Sequence, residues 1–154
     1  PMQWSDRPTG GFSTAPEAAL PRKPLRSGPF GYRELNAESQ RQDRYSLLNW
    51  MERAIRTRKE WPEFGWGEWQ VLGTRTSKAL AHIATWDGSS VLAVHNFGDE
   101  PARVTVQVPK EATAGRWRHI FGPLEADAPE MVDGRLSCQL PPYGYHWFGR
   151  REGV

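Results

Sequence analysis

Between Lys78 and Phe148 the chain is written in short apolar runs separated by turn dipeptides, and that punctuation leaves room for little except antiparallel β-structure. Asp87-Gly88 and Asp133-Gly134 are its strongest marks. A two-residue hairpin turn needs positive φ at both central residues, which Asp tolerates and Gly adopts freely. Lys78–Trp86 alternates, with Leu80, His82, Ala84 and Trp86 on one side and Ala81, Ile83 and Thr85 on the other. Val91–Phe97 is apolar nearly throughout, as a buried central strand is. After a turn at Asp99–Pro101, Val104, Val106 and Val108 face inward against Arg103, Thr105 and Gln107. Trp69–Leu72, Trp117–Phe121, the run Leu136, Cys138, Leu140 and the segment Tyr143–Phe148 bring the set to about seven strands, and short strands at this spacing predict a small sandwich. The expected fold class is mainly β: an antiparallel, Greek-key β-sandwich over residues 66–150.

Upstream the pattern changes. Leu47, Leu48, Met51, Ala54 and Ile55 recur at three- and four-residue spacing and Trp50 widens the stripe, so residues 43–60 predict an amphipathic helix within a 42–62 segment. Asp43 is its expected N-cap. Arg53, Arg56, Arg58 and Lys59 favour the C-terminal turns, and Pro62 ends the helix. Residues 1–41 have no period; Pro8, Pro16, Pro21, Pro24 and Pro29 interrupt any element. An irregular arm of this length is uncommon in a compact domain and is expected to lie across another surface. The opening Pro1-Met2 is read as a sign that the chain is a fragment.

Several functions are excluded by the residues. Net charge is +2, with Lys and Arg interleaved with Asp and Glu, so no basic face for nucleic acid is expected. No stretch of about 18 apolar residues is present to span a membrane. Cys138 is the single cysteine; it fits a reducing, cytoplasmic setting, and its alternation with Leu136 and Leu140 turns it toward the core, where it is inert. His82, His95, His119 and His146 fall on separate strands without a metal-ligand spacing, so no metal and no cofactor are expected. There is no Gly-x-Ser-x-Gly elbow, and Thr9-Gly10-Gly11-Phe12 lacks the Lys-Ser or Lys-Thr pair of a phosphate loop. Glycoside hydrolysis needs two carboxyl groups held across a bond. The acids here stand on an arm, a helix or turns (Asp6, Glu17, Glu34, Glu38, Asp87, Asp99), so no catalytic residue is assigned. Eight Trp are a heavy load. Most are expected to be packing anchors, with Trp66, Trp69, Trp86 and Trp117 as candidates for stacking on sugar.

An ordered set of short motifs runs through the chain: Pro1-Met2-Gln3-Trp4, Gly11-Phe12-Ser13, Gly31-Tyr32, Asn36-Ala37-Glu38-Ser39-Gln40, Ser46-Leu47-Leu48-Asn49-Trp50-Met51, Arg56-Thr57-Arg58-Lys59 and Phe64-Gly65-Trp66-Gly67. Val94-His95-Asn96-Phe97 and the ending Leu140-Pro141-Pro142-Tyr143-Gly144-Tyr145-His146-Trp147-Phe148 complete it. In this order the chain resembles the C-terminal third of glycoside hydrolase family thirteen, the α-amylase family, and within it the trehalose synthase (maltose α-D-glucosyltransferase) group. The resemblance implies that residues 1–41 are the end of a catalytic (β/α)₈ barrel, that 42–62 are its last helix, and that 66–150 form the C-terminal sandwich. The barrel would be the partner, in the same parent chain, with maltose or another α-glucoside as the parent's substrate. The family's three catalytic carboxylates lie upstream of the Pro-Met-Gln-Trp motif, so the resemblance gives this chain none. Gln3 and Trp4 match the motif near the acceptor side and are the substrate-binding candidates. Ala15–Leu25 departs from the pattern and leaves rim contacts there unassigned. The expected role is structural and non-catalytic, with a free-standing carbohydrate-binding module and a protein-interaction domain as the other readings.

Overall fold

The computed structural model describes residues 1–123 and 129–151; residues 124–128 of the expected 66–150 sandwich lie outside them. The chain divides into two compact units, Pro1–Arg56 and Thr57–Val154. The second carries eight strands among the described residues: β1 (Glu68–Leu72), β2 (Ala79–Trp86), β3 (Ser89–Asn96), β4 (Ala102–Gln107), β5 (Arg118–Phe121), β6 (Glu130–Val132), β7 (Arg135–Leu140) and β8 (Tyr145–Arg150). They form a five-stranded sheet in the order β1-β2-β3-β8-β5 and a three-stranded sheet in the order β4-β7-β6, with every pairing antiparallel. The sandwich stands as the sequence predicts. The short strand β6 is additional; its Glu-Met-Val is too brief to show a period.

Register follows from the hairpin turns. Asp87 and Gly88 have φ of 48° and 73°, and Asp133 and Gly134 repeat those values, so both dipeptides make the left-handed turn that suits strand twist. From Asp87-Gly88 the β2–β3 ladder places Ile83 opposite Leu92 and Ala81 opposite Val94. Leu92 then pairs with Phe148 of β8. These side chains meet Val104, Val106, Leu136 and Leu140 of the second sheet in one buried core. Trp117 lies just before β5 rather than in it; its ring is buried and its Nε1 donates to the Ala112 carbonyl at 3.2 Å. Cys138 packs against this core from a half-buried position, and burial pushes its thiol up to about 11.

On the other side of the five-stranded sheet, Trp61 is buried against Gly149, where an added Cβ would strike the indole. The Arg118 and Arg151 guanidinium carbons stand 5.3 and 4.5 Å from that ring. Phe64, from the one-turn helix α3 (Glu63–Trp66), packs on Trp147 at 4.9 Å between ring centroids.

One buried polar residue joins three segments. Asn96 ends β3 at 2% exposure, and its Nδ2 donates to the Glu100 carbonyl at 2.8 Å and the Pro141 carbonyl at 2.9 Å. Its Oδ1 accepts from Gly98 N at 2.9 Å, and its backbone N–H donates to Gly144 O at 2.8 Å. The Val-His-Asn-Phe and Pro-Pro-Tyr-Gly motifs are therefore two sides of one clip.

In the first unit the predicted helix is two helices, α1 (Ala37–Gln42) and α2 (Leu47–Glu60), the latter running on past the boundary between the units. Asp43 is the C-cap of α1, not the N-cap expected of it. Ser46 takes the N-cap role: its Oγ accepts from Asn49 N at 3.2 Å, while Gln40 Oε1 accepts from Leu48 N at 3.0 Å. The Asn49 amide donates back to the carbonyls of Gln40 (2.8 Å), Arg41 (3.2 Å) and Asp43 (2.7 Å), which satisfies the end of α1. The Ser-Leu-Leu-Asn motif is thus a helix joint. Along α2 Leu47, Met51 and Ile55 stay exposed and Ala54 is buried.

Asn96→Ala leaves two part-buried carbonyls and one buried N–H without their partner, and the expected loss is about 1–3 kcal/mol of unfolding free energy, read by urea denaturation. A loss below about 0.5 kcal/mol would show that water replaces the amide and that the clip is dispensable.

Candidate functional site

Gln3 and Trp4 lie in an irregular segment whose backbone is tied to α1 and to the Gly10 turn. The Gln3 carbonyl accepts from Ala37 N and the Trp4 carbonyl from Glu38 N, both at 2.9 Å. Asn36 Oδ1 accepts from Ser39 N at 2.9 Å, so the first amides of α1 are all engaged. The Gln3 side chain is spent internally: Nε2 donates to the Phe30 carbonyl at 3.0 Å and the Leu25 carbonyl at 3.4 Å. Trp4 leaves its indole about half exposed. Nearby, Thr9, Gly10 and Gly11 have φ of 59°, 65° and 66°. The β-branched Thr9 is held in this unfavourable region by Oγ1, which reaches the Ser13 carbonyl at 2.5 Å, and by Gly10 O accepting from Trp4 N at 2.8 Å. The strained turn presents Phe12 to solvent.

Several acids stand in exposed ion pairs. Glu52, Asp99 and Glu130 pair with Arg56 (2.8 Å), Lys78 (3.0 Å) and Arg103 on exposed surface. The Lys78 ammonium holds the Asp99 carboxyl below the usual range. Glu63 differs. It is 3% exposed, and its Oε2 has no hydrogen-bond partner.

Glu63 belongs to a groove on the outer face of the five-stranded sheet. Trp69 and Val71 of β1 and Leu80, His82 and Ala84 of β2 form one wall; Glu63, Phe64 and Gly67 form the other, around about 240 Å³. The alternation in β2 accounts for it, because Ala81 and Ile83 are spent on the core and Leu80, His82 and Ala84 must face outward. Of the stacking candidates, Trp117 is buried in the core and drops out. Trp66, Trp69 and Trp86 are 77%, 70% and 44% exposed, against the expectation that most of the indoles are packed. Sequence periodicity could not show this, since a strand's alternation does not say which face is covered.

Residues 88–149 match the family model described as "Sucrose hydrolase-like, C-terminal domain". The chain is 32% identical to the trehalose synthase/amylase of Mycobacterium tuberculosis, over 96% of its own length and 25% of that relative's. It is also 32% identical to the trehalose synthase of Thermus thermophilus, over 96% of its own length and 15% of that protein's. The isomaltulose synthase structure from Klebsiella sp. LX3 superposes with a TM-score of 0.71 at 24% identity, covering 98% of this chain and 25% of that one. Residues 88–149 thus match a C-terminal domain of sucrose hydrolase-like type, and nearly the whole chain is similar to a part of these larger relatives. The chain spans about a quarter of the mycobacterial relative's length.

The motifs read from the sequence acquire physical roles here. Asn36, Ser46 and Asn49 shape helix ends, Gly67 lets the chain turn close against Thr85, and Asn96 locks the sandwich. Among the described residues no helix is long and apolar enough to cross a membrane, and no group of three or more His, Cys, Asp or Glu side chains could hold a metal ion.

The four imidazoles do lie on separate strands, yet strand order brings them together in pairs. His82 and His95 stack at 6.5 Å on the outer face, and His95 continues to Phe97 (6.1 Å) and Tyr145 (6.3 Å). On β5 and β8, His119 Nε2 and His146 Nδ1 are 3.2 Å apart, so one ring donates and the other accepts. The pairing was hidden from the sequence because β5 and β8 are neighbours only through the crossover. Burial, and then the adjacent His119, pull His146 down to about 4 from the ordinary 6.5; burial also lowers His119. The unfolded chain therefore takes up protons first as pH falls. The stability that depends on neutral imidazoles is complete above about pH 6.5 and is lost as pH falls toward about 4. A drop of about 1–3 kcal/mol across that window is expected. His146→Gln should flatten it in urea titrations, and an unchanged slope would show that this pair does not govern the acid limb.

Proposed function

We propose that the chain is the accessory, non-catalytic C-terminal part of an α-glucan-active enzyme of the trehalose synthase or α-amylase type. The observation that carries this reading is its likeness to two trehalose synthases across 96% of its length. The partner is a catalytic (β/α)₈ barrel in the same parent chain, which isomerises maltose and trehalose or hydrolyses α-glucosides through a covalent glucosyl-enzyme. Residues 1–41 are the end of that barrel, 42–62 its last helix and 66–150 the C-terminal sandwich. The exposed stripe Leu47, Met51 and Ile55 supports this assignment, because an apolar helix face needs a partner surface.

Gln3 acts by positioning rather than by contact, since its amide is already committed to two loop carbonyls. Trp4 is the arm residue with an aromatic face free to meet the acceptor sugar. The setting is cytoplasmic, in keeping with a single cysteine whose thiol burial keeps protonated.

The 154-residue chain is expected to show no turnover of maltose, trehalose or starch, followed by release of glucose and by separation of the two disaccharides. The intact gene product should interconvert or hydrolyse them. Turnover by the purified chain itself overturns the non-catalytic assignment.

A further inference from the structure

His119 of β5 and His146 of β8 hold two ring nitrogens 3.2 Å apart, a spacing that suits more than a hydrogen bond. His119 pairs with Phe148, and His146 precedes Phe148 by two residues, so both rings share one face of the sheet. The β5–β8 ladder slips between His119 and Phe121, and such irregularities re-aim side chains. His146 is 4% exposed, while His119 is half-buried and keeps the pair within reach of solvent. The four histidines show no ligand spacing along the chain because this pair is made by strand order.

The geometry fits a tetrahedral ion. With zinc–nitrogen distances of about 2.0–2.1 Å, nitrogens 3.2 Å apart subtend an angle of about 100–105° at the metal. A square-planar ion, with an angle of about 90°, would draw them to about 2.8–3.0 Å. The ring centres agree with the first case. Two imidazoles aimed at one shared ion at about 2.05 Å have centroids about 5.0 Å apart, and the separation here is 5.1 Å. Rings aimed head-on at each other across a hydrogen bond of this length would stand about 5.5 Å apart.

Gly122 keeps the space beside both nitrogens clear. Its φ is 143°, and an added Cβ would stand 2.7 Å from His119 Nε2, 2.7 Å from His146 Nδ1 and 2.8 Å from the Tyr145 carbonyl oxygen. Any side chain at this position would fill the space that borders the pair. The N–H groups are also oversubscribed. Two neutral imidazoles carry two N–H groups. Three acceptors claim them: the backbone at Phe121 beside His119, the backbone at Gln139 beside His146, and the facing ring nitrogen. An ion in place of the bridging proton frees an N–H for the backbone, which is how imidazole ligands are ordinarily held.

We propose that His119 Nε2 and His146 Nδ1 form a two-imidazole site for Zn²⁺, with solvent completing a four-coordinate shell. Ligation by nitrogen selects against Mg²⁺ and Ca²⁺, which take oxygen, and the angle selects against square-planar Cu²⁺ and Ni²⁺. The ion clamps β5, a four-residue strand at the edge of the five-stranded sheet, to β8. The role is structural and does not depend on the function proposed above.

The test titrates the 154-residue chain, free of any histidine tag and stripped with EDTA, with zinc chloride by calorimetry. One ion per chain is expected, with a Kd of about 10–100 µM, as suits two protein ligands. Zinc at about 1 mM should raise the thermal unfolding midpoint by about 3–8 °C. His119→Gln should weaken binding at least about tenfold and abolish that rise, whereas His82→Gln, in the outer-face pair, should change neither. Co²⁺ should show the intense visible absorption of a four-coordinate ion, lost in His119→Gln. No saturation by about 1 mM zinc, or affinity insensitive to His119→Gln, overturns the site. Equal binding of Mg²⁺ or Ca²⁺ overturns the imidazole assignment, and the pale spectrum of six-coordinate Co²⁺ overturns the tetrahedral shell. Loss of binding through His82→Gln overturns the proposal by moving the ion to the outer face. In the intact gene product, where folding of the 154 residues alone is not at issue, a zinc-dependent rise in midpoint that survives His119→Gln also overturns it.

Discussion

The sandwich depends on the Asn96 side chain more than on any other polar contact. β3 is the centre of the five-stranded sheet, and its end must be connected both to the turn that starts the second sheet and to the corner that feeds β8. Asn96 does both, with two donated bonds and one accepted bond from a side chain that is itself buried. A smaller residue would leave main-chain groups unpaired, and an Asp would set a charge against two carbonyls. With the clip in place, Tyr143 N donates to Gly98 O at 3.0 Å, and the segment from Pro141 to Gly144 is aimed back along β3. Phe148 then falls opposite Leu92, and the core closes over it.

Much of this was legible in advance, and the reason is local. The Asp-Gly turns fix φ at two positions without help from the rest of the chain, so the hairpins they make can be read directly. The Val104, Val106, Val108 alternation is equally local. The arm resisted reading because its order comes from contacts distant in sequence, such as Ala37 N to Gln3 O and Gln3 Nε2 to Phe30 O. The helix boundary was misplaced for a related reason. Asp43 and Ser46 are both good caps by residue type, and only the return of the Asn49 amide onto the end of α1 decides between them. The His119–His146 contact depends on a crossover and leaves no trace in spacing.

The eight indoles show where sequence reasoning stops for the candidate site. Trp61 and Trp66 are five residues apart, one just before the one-turn helix α3 and one at its end, and have opposite fates: one is buried against Gly149 with two guanidinium groups near its ring, the other is 77% exposed. Hydrophobicity is the same in both cases, so it cannot be the discriminator. What differs is the opposing surface. Gly149 on β8 offers a flat backbone where the Trp61 ring lies, whereas Trp66 is left exposed. The glycine, not the tryptophan, sets the burial.

The same logic applies to Glu63 and bears on how the groove arose. A carboxylate at the start of a one-turn helix could point to solvent at no cost, yet it lies in the shadow of its own backbone beside an exposed indole. Gly67 lies against the backbone of Glu63 and Thr85, where an added Cβ would stand 2.5 Å and 3.0 Å from their carbonyl oxygens. Two glycines thus divide the outer face. Gly149 produces a packed region under Trp61, where the sheet is covered by its own chain, and Gly67 produces an open one around Trp69, where it is not. The region beside Gly67 leaves Trp69 and Val71 exposed next to a buried acceptor without a hydrogen-bond partner, so the outer face is not closed by its own unit alone.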